Sequence, residues 1–267
     1  MESIDKERFE RFLWDYGVRL PVPLNLGPRG DAGYDPAGGP EFVVDDEIRR
    51  GRWTPGQARA LEGLLRVMES PESVVAAYLF WDNTDEESTR VVSAGIIADD
   101  EAIVVVETPQ GPRLELVEWS HVASAVVGQL PLPAAMALPR TTIPTSALHR
   151  IADESAQGAS TRSLSRTAVG SGVSLSVFAL LSSMVPDPTT GGFACASWVE
   201  GTPESLSEMQ IDLIISAQGG MIRYGDESTV TFEPLTSTTL TRALGQSMAR
   251  LPARRRGGLG RCSHTSL

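Results

Sequence analysis

The spacing of apolar residues divides the chain into two runs of strands, each closed by a helix. Phe9, Phe12, Leu13 and Tyr16 recur at i, i+3, i+4 and i+7, which predicts an amphipathic helix over Ile4–Tyr16 with Ser3 as its cap. Val18–Leu26 alternates through two prolines, as an edge strand would, and Gly27–Pro40, with five glycines and three prolines, reads as a loop. Thr54-Pro55-Gly56-Gln57 combines a cap, a proline at the first helical position and a Gln three residues on. The helix that it opens buries Leu61, Leu64, Leu65 and Met68 and closes at Pro71. From Val74 the period shortens to that of strands: Val74–Trp81, Arg90–Ala98, Ala102–Glu107 and Arg113–Glu118, separated by polar connections, then a helix from Ser120 to Leu130.

The same order returns in Phe193–Glu200, Met209–Ser216, Met221–Tyr224 and Thr229–Phe232, followed by a helix from Thr236 to Leu251. Gly201–Ser207 reads as a polar loop and Gln218-Gly219-Gly220 as a tight turn. Val74 matches Phe193 and Ala98 matches Ala217 at an offset of 119, and both runs end in Leu-Pro, at 130–131 and 251–252. A repeat that long is no solenoid. It predicts an internal duplication, an α+β fold whose two sheet-plus-helix halves, 1–133 and 134–252, share one core, with 253–267 as a disordered Arg/Gly-rich tail. Between the runs, Ser146–Ser155 reads as a helix and Gly158–Gly172 as a loose linker or frayed helix. In Val173–Val185, Leu175, Val177, Phe178, Leu180, Leu181 and Met184 nearly encircle a helix, which must then lie in the core or under a partner.

Charge narrows the function. The net charge is −11, and without the four arginines of the tail residues 1–252 carry −15. A body so acidic is repelled by a phosphate backbone and by an anionic bilayer, so nucleic acid is not an expected partner. The longest apolar run, Val74–Trp81, has eight residues against the ~20 that a membrane span needs, so no membrane insertion is expected. Two cysteines, Cys195 and Cys262, fit a reducing cytoplasm.

A search for chemistry returns little. Ser120 and His121 are helix neighbours that point apart, and Lys6 is the only lysine, which excludes a P-loop. No His/Cys spacing resembles a zinc site. The acids Asp99-Asp100-Glu101 and Asp85-Glu86-Glu87 fall on hairpin connections, where solvated carboxylates are ordinary. No catalytic residue, cofactor or metal site is expected.

The order of segments, with Val74–Trp81, Val91–Ile97, Ile103–Val106 and Leu114–Glu118, Leu130-Pro131-Leu132-Pro133, Gly191-Gly192-Phe193, Gly219–Tyr224 and Thr231-Phe232-Glu233-Pro234, resembles the EspG family of type VII (ESX) secretion-associated proteins over residues 4–252. The resemblance implies a mostly antiparallel central sheet with quasi-two-fold-related halves and flanking helical bundles. It also implies a cytosolic chaperone, not an enzyme, that binds a secreted PE–PPE-like helical heterodimer, keeps it soluble and directs it to its secretion machinery. The family's contact regions fall by position on Asp82–Thr89 and on the helices around Val173–Val185 and Thr236–Leu251. The partner-binding expectation therefore comprises Asp82, Asn83, Asp85, Glu86, Glu87, Phe178, Leu181 and Met184, the last three as an apolar anchor or as plain core filling. Two other readings stand beside it: a small-ligand-binding or enzymatic α+β module with its site between the halves, and a module that forms a homodimer through a sheet edge.

Overall fold

The computed structural model describes residues 1–20, 24, 42–80, 90–108, 110–183, 189–199, 202–206, 209, 211–216 and 218–250. Glu2–Ser3 (β1) precedes Lys6–Asp15 (α1). The cap of α1 is Asp5, whose carboxylate accepts from the Arg8 N–H at 3.0 Å. Ser3, expected in that role, pairs instead with Arg113 as part of β1. Val18–Leu20 forms no strand, and most of the expected edge strand, like the loop 27–40, lies outside the described residues. Val44–Arg49 (α2) leads to Pro55–Glu69 (α3), which starts as its sequence dictates. Thr54 Oγ1 accepts from Gln57 N at 3.2 Å while Gln57 Oε1 accepts from Thr54 N at 3.1 Å, so two otherwise orphaned donors are satisfied reciprocally.

Ser73–Phe80 (β2), Arg90–Ala98 (β3), Glu101–Glu107 (β4) and Arg113–Glu118 (β5) follow, then a 3₁₀ turn at Trp119–His121 and Val122–Val127 (α4). This helix is shorter than the expected Ser120–Leu130. The N–H groups of Gln129 and Leu130 reach back three residues, to Val126 and Val127, so the last turn tightens out of the α-helix. Thr141–Pro144 (β6) precedes Thr145–Ala156 (α5), Thr161–Gly170 (α6) and Leu175–Ser183 (α7). Of the two readings of the Ser/Thr/Gly-rich stretch, linker or frayed helix, the helical one is found: Ser160 opens it, its hydroxyl accepting from Ser163 N at 3.3 Å. Thr189–Val199 (β7), Thr202–Leu206 (β8), Ile211–Ser216 (β9), Gly219–Gly225 (β10), Thr229–Pro234 (β11) and Ser237–Ala249 (α8) complete the chain. The expected polar loop 201–207 is largely β8, and Gly219 and Gly220 belong to a strand rather than a turn.

The described strands form one sheet in the order β1-β5-β4-β3-β2-β7-β9-β10-β11-β6, with β8 also on β7, and every pair of named strands is antiparallel. The run β5-β4-β3-β2 meets the run β7-β9-β10-β11 at a single seam, where Ser73–Leu79 pairs with Ser197–Gly191. β7 outgrows its neighbours. Its first residues pair with β9 and its last with β8, so the polar segment Thr202–Leu206 joins the sheet.

Alternation along the strands sends side chains to two faces. On one face Val75, Ala77, Val104, Leu213, Ile222 and Tyr224 pack under α4 and α8, which lie side by side there. On the other face α1 and α3 cover β2–β5 with Phe9, Leu13, Leu61 and Leu64 against Val74, Ile96 and Ile103. The helices α5, α6 and α7 cover Ile143 of β6 with Met221 and Phe232 of the second run. Gly95 lets α4 approach the sheet: a Cβ there would press into Val122 Cγ2 and stand 3.2 Å from Val126 Cγ2. Gly219, at φ +116°, does the same for the main chain, since its Cβ would sit 2.8 Å from Ala134 O. Segment 134–136 bonds to β10 through Gly220 N to Ala134 O and Met136 N to Gly220 O, and so delivers Met136 and Leu138 to the core under α5–α7.

Candidate partner-binding surface

The layer α5–α7 contains the apolar helix that the sequence left between core and partner. α6 ends at a corner where Gly172 adopts φ +87° and Val173 N donates to Ala168 O at 3.0 Å, folding Val173 inward. Ser174 Oγ then accepts from Val177 N at 3.3 Å and starts α7. At 100° per residue, Val177, Phe178 and Leu181 share the inward face, and Leu175 points the other way. The burial follows that phase: Val177 and Phe178 are buried, Leu180 and Leu181 half-buried, and Leu175 is 61 % exposed. Val169, near the end of α6, is 48 % exposed. The corner therefore carries two outward aliphatic side chains among Ser171, Ser174 and Ser176.

Of the expected partner-binding residues, Phe178 is a core residue, packed in the cluster with Met221 and Phe232, and is no surface anchor in this structure. Leu181 packs at the edge of the same cluster. Asp82, Asn83, Asp85, Glu86, Glu87 and Met184 lie outside the described residues. Leu175 was not singled out, although its phase relative to Val177, Phe178 and Leu181 sets it apart once the helix is drawn.

The second chemical feature is a buried carboxylate on the opposite face. Glu233 of β11 is 2 % exposed, beneath α8. Tyr224 Oη donates to its Oε1 at 2.6 Å, Arg242 Nη2 donates to Oε2, and Arg140 forms an ion pair with Oε1, its Nε standing 2.9 Å away. Burial first, then the hydrogen bond to Glu233, holds the Tyr224 phenol above its usual pKa. A second buried carboxylate, Glu47 of α2, has Arg50 Nη1 at 3.3 Å and Arg52 Nη1 at 3.5 Å from its Oε1. Glu101 pairs with Arg66 at 2.7 Å, and His121 stands 3.7 Å from Glu118, both exposed. Among the described residues no three His, Cys, Asp or Glu side chains converge as a metal site would require, and no helix is long and apolar enough to cross a membrane.

The family model of the EspG family matches residues 11–246, most of the chain. The chain belongs to the EspG family. Among solved structures this EspG-family chain is similar to the Mycobacterium tuberculosis type VII secretion system chaperone EspG5 in its complex with a PE25–PPE41 dimer. The TM-score is 0.64 at 12 % identity, with 94 % of this chain and 97 % of the other covered, so the shared property is the fold over nearly its full length. No curated protein matches by sequence.

Proposed function

We propose that this protein is a type VII secretion chaperone that binds a PE–PPE-like helical heterodimer in the cytoplasm, keeps it soluble and hands it to the secretion machinery, without catalysing a reaction. Membership of the EspG family over residues 11–246 carries the reading. The full-length fold likeness to a chaperone captured with PE25–PPE41 supports it. We also read residues 1–133 and 134–252 as two copies of one unit, on the strength of two four-strand runs that meet at one seam and are each followed by a helix on the same face.

The surface for the partner is the α6–α7 corner together with the connection from β2 to β3. Leu175 is the apolar anchor, Val169 its neighbour, and Phe178 and Leu181 support the corner from within. Met184 and, from the connection between β2 and β3, Asp82, Asn83, Asp85, Glu86 and Glu87 are proposed as further contacts; they lie outside the described residues. The serines around Leu175 keep the free corner soluble while leaving an aliphatic group open to contact.

Co-expression with PE–PPE pairs tests the reading. One pair is expected to co-purify as a complex with one copy of each chain, and Leu175→Asp is expected to abolish capture while leaving the melting temperature within about 1–2 °C, since the side chain is already in water. If every pair elutes separately from the wild type the function is wrong, and if Leu175→Asp binds normally the surface is wrong.

A further inference from the structure

We propose that Arg140 and Arg242, held over the buried Glu233 carboxylate, form a receptor for an oxyanion, either a carboxylate or a phosphate. Charge counting leads there first. One carboxylate neutralises one guanidinium, yet two are bound to it, and among the described residues neither arginine has another ion pair. The charges that act on Tyr224 are likewise one carboxylate and two guanidiniums. A residual positive charge is thus fixed at one place on a body that carries −15 over residues 1–252.

Presentation is the second argument. The Glu233 side chain is 3 % exposed, whereas those of Arg140 and Arg242 are 59 % and 39 % exposed, so the pair faces water with its acid behind it. Each guanidinium has five N–H donors. Arg242 donates to Glu233 through Nη2 alone and Arg140 is held to it as an ion pair, which leaves further N–H groups on both for another acceptor. Both side chains are already drawn to Glu233, which is in turn held by Tyr224, so an arriving anion brings fewer free groups together than it would on an open surface. Two guanidiniums gathered at one carboxylate carry planar donor sets of the kind that suits the oxygens of a carboxylate or phosphate better than point charges would. The anion has two sources, a free small molecule or an acidic side chain carried by another protein. The receptor does not depend on the partner proposed above.

The test uses the full-length ¹⁵N-labelled chain at neutral pH, followed through the Nε–H resonances of Arg140 and Arg242. Inorganic phosphate and, separately, the peptide acetyl-Glu-Glu-Glu-amide are titrated against sodium chloride of matched ionic strength. Saturable shifts at both arginines, with a midpoint on the order of millimolar, are expected. Saturation by phosphate and peptide alike identifies a site for free oxyanions; saturation by the peptide alone identifies a protein-borne carboxylate. Arg140→Lys and Arg242→Lys keep the charge and lose the fork, and each is expected to weaken binding about tenfold. Should one variant fail to fold, the other and the wild-type titration still decide. Shifts that merely follow the chloride control with neither probe saturating, or lysine variants that bind as tightly as the wild type, overturn the proposal.

Discussion

Removing Glu233 should reveal how the second half of the sheet is tied to α8. The carboxylate connects β11 to Tyr224 of β10, to Arg242 of α8 and to Arg140 ahead of β6. In Glu233→Ala the two arginines, being half-exposed, turn to water and each forfeits about 0.5–1 kcal/mol, the scale of an exposed ion pair. Tyr224 cannot do the same. It is 6 % exposed, and its hydroxyl loses a 2.6 Å bond to a charged acceptor, a loss of about 1.5–3 kcal/mol. The buried phenol therefore dominates, and a total of about 2.5–5 kcal/mol is expected, or a melting temperature lower by roughly 5–20 °C for a chain of this size. Glu233→Gln retains an acceptor for Tyr224 and should cost about half as much. Urea unfolding of the wild type, Glu233→Gln, Tyr224→Phe and the double variant isolates the shared bond, with a coupling of at least about 0.5 kcal/mol expected. Glu233→Ala within about 0.5 kcal/mol of the wild type, or additive single variants, would refute the reasoning.

Gly95→Val drives a branched side chain into Val122 of α4 and should cost about 1–3 kcal/mol by the overpacking rule, measurable as a lower urea midpoint. Gly245→Ala should do the opposite: it lies inside α8 with nothing within 4 Å of a new Cβ, so a gain of about 0.5–1 kcal/mol is expected by calorimetry. Asp226 has its pKa lowered from 3.8 to about 2 by the Ser228 hydroxyl first, then by the Thr229 and Ser228 N–H groups. Because the folded value is the lower one, its stabilisation is complete above about pH 4 and vanishes as pH falls through about 2. The difference in urea midpoint between wild type and Asp226→Asn should accordingly shrink from pH 5 to pH 2, and a gap that stays constant would contradict it.

The parts legible in the sequence are those where one local signal coincides with the tertiary demand. Thr54-Pro55-Gly56-Gln57 fixes the start of α3 because both halves of the capping box lie within four residues. The bounds of β3 and β5 are legible where turn residues flank them, Asp99-Asp100 after Ala98 and Gly111-Pro112 before Arg113. β8 was missed because Thr202–Leu206 has no apolar alternation; a neighbouring strand long enough to offer free backbone groups created it. β1 and β6 escaped for the same reason, being short partners of β5 and β11 at the two ends of the sheet. At the α6–α7 corner the composition gave the right helix but not its orientation. With leucines on all sides, only packing on Met221 and Phe232 decides that Phe178 turns inward and Leu175 outward. The Glu233 cluster was invisible, since Arg140, Tyr224, Glu233 and Arg242 meet only when four separate elements assemble.

The seam between β2 and β7 sets a schedule for biosynthesis. Residues 73–79 cannot complete their hydrogen bonding until residues 191–197 have been made, more than a hundred positions later. At translation rates of roughly 5–20 residues per second, the nascent amino-terminal portion waits about 6–24 s with one flank of its sheet unpaired. During that interval the amino-terminal portion presents an open strand edge that only the later part of the same chain can close.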